Sequence, residues 1–98
     1  MPITKPLRRT QPMSRITGQQ LIAARHALRL TQARLADETG ITEQTIRAIE
    51  NERVTPKPMS ARLIRRTLQA AGLWFEPDGR ILDRDRRQIY PPLDGERS

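Results

Sequence analysis

In the run from Glu43 to Asn51, side chains of three hydrogen-bonding kinds are spread over little more than two helical turns. Glu43 offers a carboxylate acceptor, Gln44 an amide that both donates and accepts, and Arg47 a planar fork of N–H donors. Groups of this kind recognise flat hydrogen-bonding edges and do not form a catalytic set. The chain has no cysteine and a single histidine, His26, and its carboxylates form no pair at a recognisable spacing. On these grounds a thiol nucleophile and a metal centre are excluded, no cofactor is expected, and the chain is not expected to be an enzyme.

The apolar pattern dictates how those groups must be mounted. Ile46 and Ile49 mark one stripe of a helix over residues 43–51; with that stripe inward, Glu43, Gln44, Arg47 and Asn51 face out. Thr42 supplies its N-cap hydroxyl. Upstream, Thr31 caps a helix over Gln32–Thr39 that buries Leu35 and Ala36 and stops at Gly40, which suits the left-handed position past a helix end. Only Ile41 separates Gly40 from the next cap, so the two helices are joined by a tight reversal, and the small Ala36 lets them cross closely. Thr17 and Gln20 have the spacing of a capping box, and Leu21, Ala24 and Leu28 recur behind them, which predicts a helix over residues 18–30. His26, beside Arg25 and Arg29, is expected in solvent.

After Asn51 the prolines at 56 and 58 bracket Lys57 and make a loop. A fourth helix runs from Pro58 or Met59 to Ala71, with Leu63, Ile64 and Leu68 inward, Arg62, Arg65 and Arg66 on a solvated face, and Gly72 as its stop. Residues 73–76 and 80–82 read as two short strands about a turn at residues 77–79, with Trp74 and Phe75 in the core. The expected fold is therefore mainly α: four helices followed by a short β-hairpin, over residues 16–82. Residues 1–15 hold Lys5, Arg8, Arg9 and Arg15, no acid, and Pro2, Pro6 and Pro12, and read as a flexible basic arm. Residues 83–98 read as an extended or disordered tail.

The formal net charge is +7 over 98 residues. Up to Lys57 there are ten Lys/Arg against five Asp/Glu, whereas residues 73–98 hold five against six, so the positive surface belongs to the arm and the helices. Such a balance favours a polyanion, either nucleic acid or an anionic membrane surface. No apolar run is long enough to span a bilayer and the first residues lack a secretory apolar stretch, so a soluble protein, cytoplasmic or nucleoid-associated, is expected.

Residues 32–51 resemble the twenty-residue helix-turn-helix of the phage-repressor-like family, also called the Cro/C1-type or xenobiotic-response-element family. The marker types coincide: Gln32 first, Ala36 fifth, Gly40 ninth, Ile46 fifteenth and Ile49 eighteenth. The resemblance covers residues 16–82 and implies a lambda-repressor-like bundle whose third helix enters the major groove of double-stranded DNA. It implies base contacts from Glu43, Gln44, Thr45, Arg47 and Ala48. Gln44 suits adenine, Arg47 guanine, Glu43 the N4 amino group of cytosine, and Ala48 a thymine methyl. It implies phosphate contacts from Gln32, Thr42, Asn51, Arg53 and Lys57. The function implied is a sequence-specific transcriptional regulator, a repressor, acting as a homodimer on a roughly palindromic operator. The alternative is an antitoxin or adaptor that covers a protein partner through residues 73–98. Two departures stand out: Glu52 occupies a place where the family often has glycine, and the fifth helix of longer repressors is missing.

If the arm touches phosphate or enters the minor groove, its effect is independent of sequence. Deleting residues 1–14 is expected to weaken binding by a similar factor on every duplex and to flatten the salt dependence; titration of two unrelated duplexes at several salt concentrations checks this.

Overall fold

The computed structural model describes residues 14–93. Apart from Ser14 and Arg15, the expected basic arm lies outside the described residues, as does the end of the expected tail. The elements are α1 (Gly18–Ala27), α2 (Gln32–Thr39), α3 (Glu43–Glu50) and α4 (Pro58–Ala70), then β1 (Trp74–Phe75), β2 (Ile81–Leu82) and β3 (Gln88–Tyr90). The strands form one antiparallel sheet in the order β1-β2-β3.

Local chemistry sets each helix. At α1 the capping box is reciprocal: Gln20 N donates to Thr17 Oγ1 at 3.1 Å and Thr17 N to Gln20 Oε1 at 2.9 Å. The helix stops short of residue 30 because Arg29 turns left-handed, φ 57°, and Leu30 N then closes back onto Arg25 O at 2.9 Å. Thr31 accepts from Arg34 N at 3.0 Å to open α2, and Gly40 closes it at φ 80°. The buried Thr39 hydroxyl locks the reversal, donating to Leu35 O at 2.9 Å and accepting from Ile41 N at 3.2 Å. Pro58 begins α4 at a position that needs no N–H donor.

Leu21, Leu35, Ile46, Ile49, Ile64, Leu68 and Ile81 are fully buried and join the helices to the sheet. Three expectations are corrected. Leu63 is 39% exposed, because the inward stripe of α4 is Ala61, Ile64 and Leu68. Arg65 shares that face and is buried: Nη1 donates to Arg15 O at 2.7 Å, and the guanidinium carbon lies 4.5 Å from the Phe75 ring centroid. Burial holds its pKa below the ordinary value. Trp74 is 52% exposed, under the Arg86 guanidinium at 5.0 Å, because Leu73 takes the core position before it.

Residues 83–98 were expected as an extended or disordered tail, yet they contribute β3, which pairs with β2 and packs on α1. Asp83 makes the connecting turn: its Oδ1 accepts from Asp85 N at 2.8 Å and Arg87 N at 2.9 Å. At the other turn, Gln20 Nε2 donates to Gly79 O at 2.9 Å, tying the sheet to the start of α1.

Two junctions fix α3 against α1. Gly18, the first residue of α1, is backed so closely by the end of α3 that a Cβ there would collide with Ile49 O and lie 2.9 Å from Glu50 O. In the last turn of α1, Arg25 forks onto Glu50, Nε to Oε2 at 2.7 Å and Nη2 to Oε1 at 2.9 Å, with side chains only 12% and 5% exposed. Gln32 Nε2 from α2 adds a third donor to Glu50 Oε1 at 2.9 Å, while Arg25 Nη1 donates to Leu30 O at 2.9 Å. Burial pushes the Glu50 carboxyl up; hydrogen bonds from Arg25 and Gln32 and the charges of Arg25 and His26 outweigh it, so its pKa falls below 4.5.

Gly18→Ala is expected to destabilise the fold by about 1–3 kcal/mol, read as a lower thermal midpoint, because backbone and not a flexible side chain must give way. Glu50→Gln leaves Arg25 buried without its counter-charge and is expected to cost about 3 kcal/mol at neutral pH. A carboxyl whose pKa is lowered by folding contributes fully above its ordinary value, 4.5, and loses that contribution as pH falls through the folded-state value. The stability gap between wild type and Glu50→Gln is therefore expected to narrow in acid; thermal melts across a pH series check it, and a gap constant down to about pH 2 would refute it.

Candidate nucleic-acid interface

The face of α3 opposite Ile46 and Ile49 carries the groups that could read a ligand. Thr42 caps the helix, its hydroxyl accepting from Thr45 N at 3.1 Å and donating to Thr45 Oγ1 at 2.9 Å. Glu43, Gln44, Thr45 and Arg47 are exposed and Ala48 is half-buried. Glu43 and Arg47 are paired one turn apart, Nη2 to Oε2 at 3.1 Å. Asn51 closes the helix, exposed, with its N–H on Arg47 O at 3.0 Å.

A groove of about 540 Å³ runs between α3 and the start of α4, walled by residues 54–56. It brings together Thr42, Gln44, Thr45, Ala48 and Lys57, so three candidate base readers and two candidate phosphate contacts share a surface. Glu43, Arg47, Asn51 and Arg53 do not line it. Lys57 is exposed at the N-cap of α4, where the backbone N–H groups of the first turn add positive potential. Arg53 is exposed, with its N–H on Ala48 O at 2.9 Å, which pins the loop to the end of α3. On the far side of residues 54–56, a hollow of about 430 Å³ is lined by Arg15, Glu52 and Gly18 among others.

One candidate, Gln32, and the departure at Glu52 are placed differently from a free surface group. Gln32 is half-buried, and its amide is engaged by Glu50, so its side chain reaches the helix α2 terminus from an anchored position. Glu52 has φ 58°, the conformation that explains why glycine is common there, and its Cγ would lie 2.8 Å from a Cβ on residue 18.

Sequence reasoning missed Arg25, Glu50 and Gly18 as the residues that set the pose of α3. A signal existed for the first two. Glu50 follows Ile46 by four residues and Arg25 follows Leu21 by four, so each charge falls on an apolar stripe and needs a buried partner. For Gly18 nothing local distinguishes a close approach from an ordinary first helical residue. Among the described residues no group of three His, Cys, Asp or Glu side chains could hold a metal ion, and no helix is long and apolar enough to cross a membrane.

A family model described as helix-turn-helix matches residues 21–75, from within α1 to the end of β1. No curated protein matches the chain. The match spans more than half the sequence and includes the capped, outward-facing α3 with the reversal that mounts it. By fold, motif and matched span, the chain belongs to the Cro/C1-type helix-turn-helix family of DNA-binding transcription regulators.

Proposed function

We propose that the chain is a sequence-specific regulator that represses transcription by binding a roughly palindromic operator as a homodimer, acting in the cytoplasm at the nucleoid. The observation that carries this reading is the exposed run Glu43, Gln44, Thr45 and Arg47 on a helix whose other face is locked into the core by Ile46 and Ile49. A rigid mount is what base readout requires, since a bidentate contact tolerates little misplacement. Gln44 and Arg47 are the principal readers, with Glu43, Thr45 and Ala48 completing the base-contacting set. Gln32, Thr42, Asn51, Arg53 and Lys57 hold phosphates around them, and the basic residues 1–15 add contacts that are blind to sequence. Symmetry then places half-sites about 10 to 10.5 base pairs apart, or at a multiple of that spacing.

A second reading, an antitoxin or adaptor that covers a protein partner through residues 73–98, is favoured by the half-exposed Trp74 on β1. Co-purification of a partner that survives loss of Arg47 would support it.

Base and phosphate contacts fail differently, and that difference tests the first reading. Arg47→Ala or Gln44→Ala is expected to cost about 1–3 kcal/mol on an operator selected from random DNA while leaving binding to scrambled DNA nearly unchanged. Arg53→Ala and Lys57→Ala are expected to weaken both duplexes alike, each lowering the slope of log K against log salt by about one. Equal losses on both duplexes for every variant would mean that α3 reads no bases.

A further inference from the structure

Glu43 and Arg47 stand apart from the rest of the outer face of α3. Gln44, Thr45 and Ala48 line the groove shared with Lys57, whereas Glu43 and Arg47 lie outside it and face each other, Nη2 to Oε2 at 3.1 Å. Both are well exposed, 53% of the Arg47 side chain and 46% of the Glu43 side chain, so their pairing adds little to the stability of the helix. Its consequence is chemical. An exposed guanidinium alone binds phosphate at least as readily as a base edge, because phosphate is both an acceptor and an anion. With a carboxylate held against it, an approaching phosphate meets negative charge. The O6 and N7 atoms of guanine are acceptors without net charge and are not repelled in the same way. The single Nη2 bond also restricts the rotation of the guanidinium and leaves the fork's other donors for a bidentate contact.

We propose that Glu43 is a positioning residue: it holds the Arg47 guanidinium for a guanine edge and turns it away from phosphate, so that the pair reads one base pair as a unit. This rests on the reading that α3 contacts bases, and it changes the role of Glu43 from an independent reader of cytosine to a residue that acts through Arg47. Loss of the carboxylate then has two signs. Binding to random DNA rises, because Arg47 is released to phosphates, and discrimination at one guanine falls.

The test compares wild type, Glu43→Gln, Arg47→Ala and the double variant by fluorescence anisotropy. The duplexes are an operator selected from random DNA, versions with each guanine replaced in turn, and a scrambled duplex. Glu43→Gln is expected to tighten scrambled-DNA binding by about three- to tenfold and to steepen its salt slope by about 0.9. It is expected to reduce discrimination at the guanine that Arg47→Ala also affects by about three- to tenfold, and to have no effect at that guanine once Arg47 is alanine. Persistence of the Glu43→Gln loss in the Arg47→Ala background, or its mapping to a different base pair, would make Glu43 a reader in its own right and overturn the proposal. So would unchanged binding to both duplexes, which leaves only a contact within the helix. Failure of the underlying reading looks different: Arg47→Ala alone would then leave the ratio of operator to scrambled affinity unchanged.

Discussion

The pose of α3 depends on one buried ion pair, Arg25 with Glu50. Taking both charges out of water costs several kcal/mol per ion, and an apolar pair of similar volume would hold the helices together at least as well. What an apolar pair would not do is choose one rotation of α3 about its own axis. The bidentate fork accepts one register, and the Gln32 amide and the Leu30 carbonyl complete it from the flanking segment and α2. Rotating α3 enough to move Arg47 off its line would break two short charge-assisted bonds inside the protein. The outward face is thus set by an inward contact.

The second constraint is steric and lies at the same end of α3. Gly18 lets the start of α1 meet the backbone of Ile49 and Glu50, and the chain then leaves α3 through Glu52 in a left-handed conformation. A non-glycine residue there carries a strain of about 1–2 kcal/mol. It is held by Glu52 N on Ile49 O at 3.0 Å and Arg53 N on Ala48 O at 2.9 Å, which close the helix and aim the loop toward Lys57. The loop's cations are therefore delivered by the way α3 ends.

Much of this was legible in the sequence where the physics is local. Thr17 with Gln20, Thr31, Thr42, Gly40 and Pro58 each set a helix boundary through bonds spanning a few residues, and the structure places the helix starts and the reversal there. The alternation of Ile46 and Ile49 with polar neighbours likewise fixed which residues of α3 are exposed. What escaped depends on distant partners. Arg65 looks like any arginine of a solvated face until Arg15 and Phe75, fifty and ten residues away in sequence, arrive to cover it. Trp74 looks like core by type, but register puts Leu73 inside instead. The residues ahead of β3 look like a solvated tail because their charges are mixed, although one of those charges, Asp83, folds the turn. The roles of the outer-face residues toward DNA are a different matter, since no fold-level pattern carries them.

Electrostatics divides the work between α3 and its surroundings. The charged side chains of α3 are Glu43, Arg47 and Glu50, an acidic excess on the element that must approach a polyanion. Glu50 is answered internally by Arg25 and Glu43 by Arg47, so the helix presents an almost uncharged face of donors and acceptors. Such a face gains little from phosphate and can be sensitive to what a base edge offers. On the proposed reading, attraction comes from outside it, from Arg53, Lys57 and the lysine and arginines of residues 1–15, in a chain whose net charge is +7. Because that attraction is long-ranged and indifferent to sequence, it brings any duplex near. On that reading the short-ranged, nearly neutral helix is left to discriminate, and the less it contributes to the pull the more its contacts depend on the base edge.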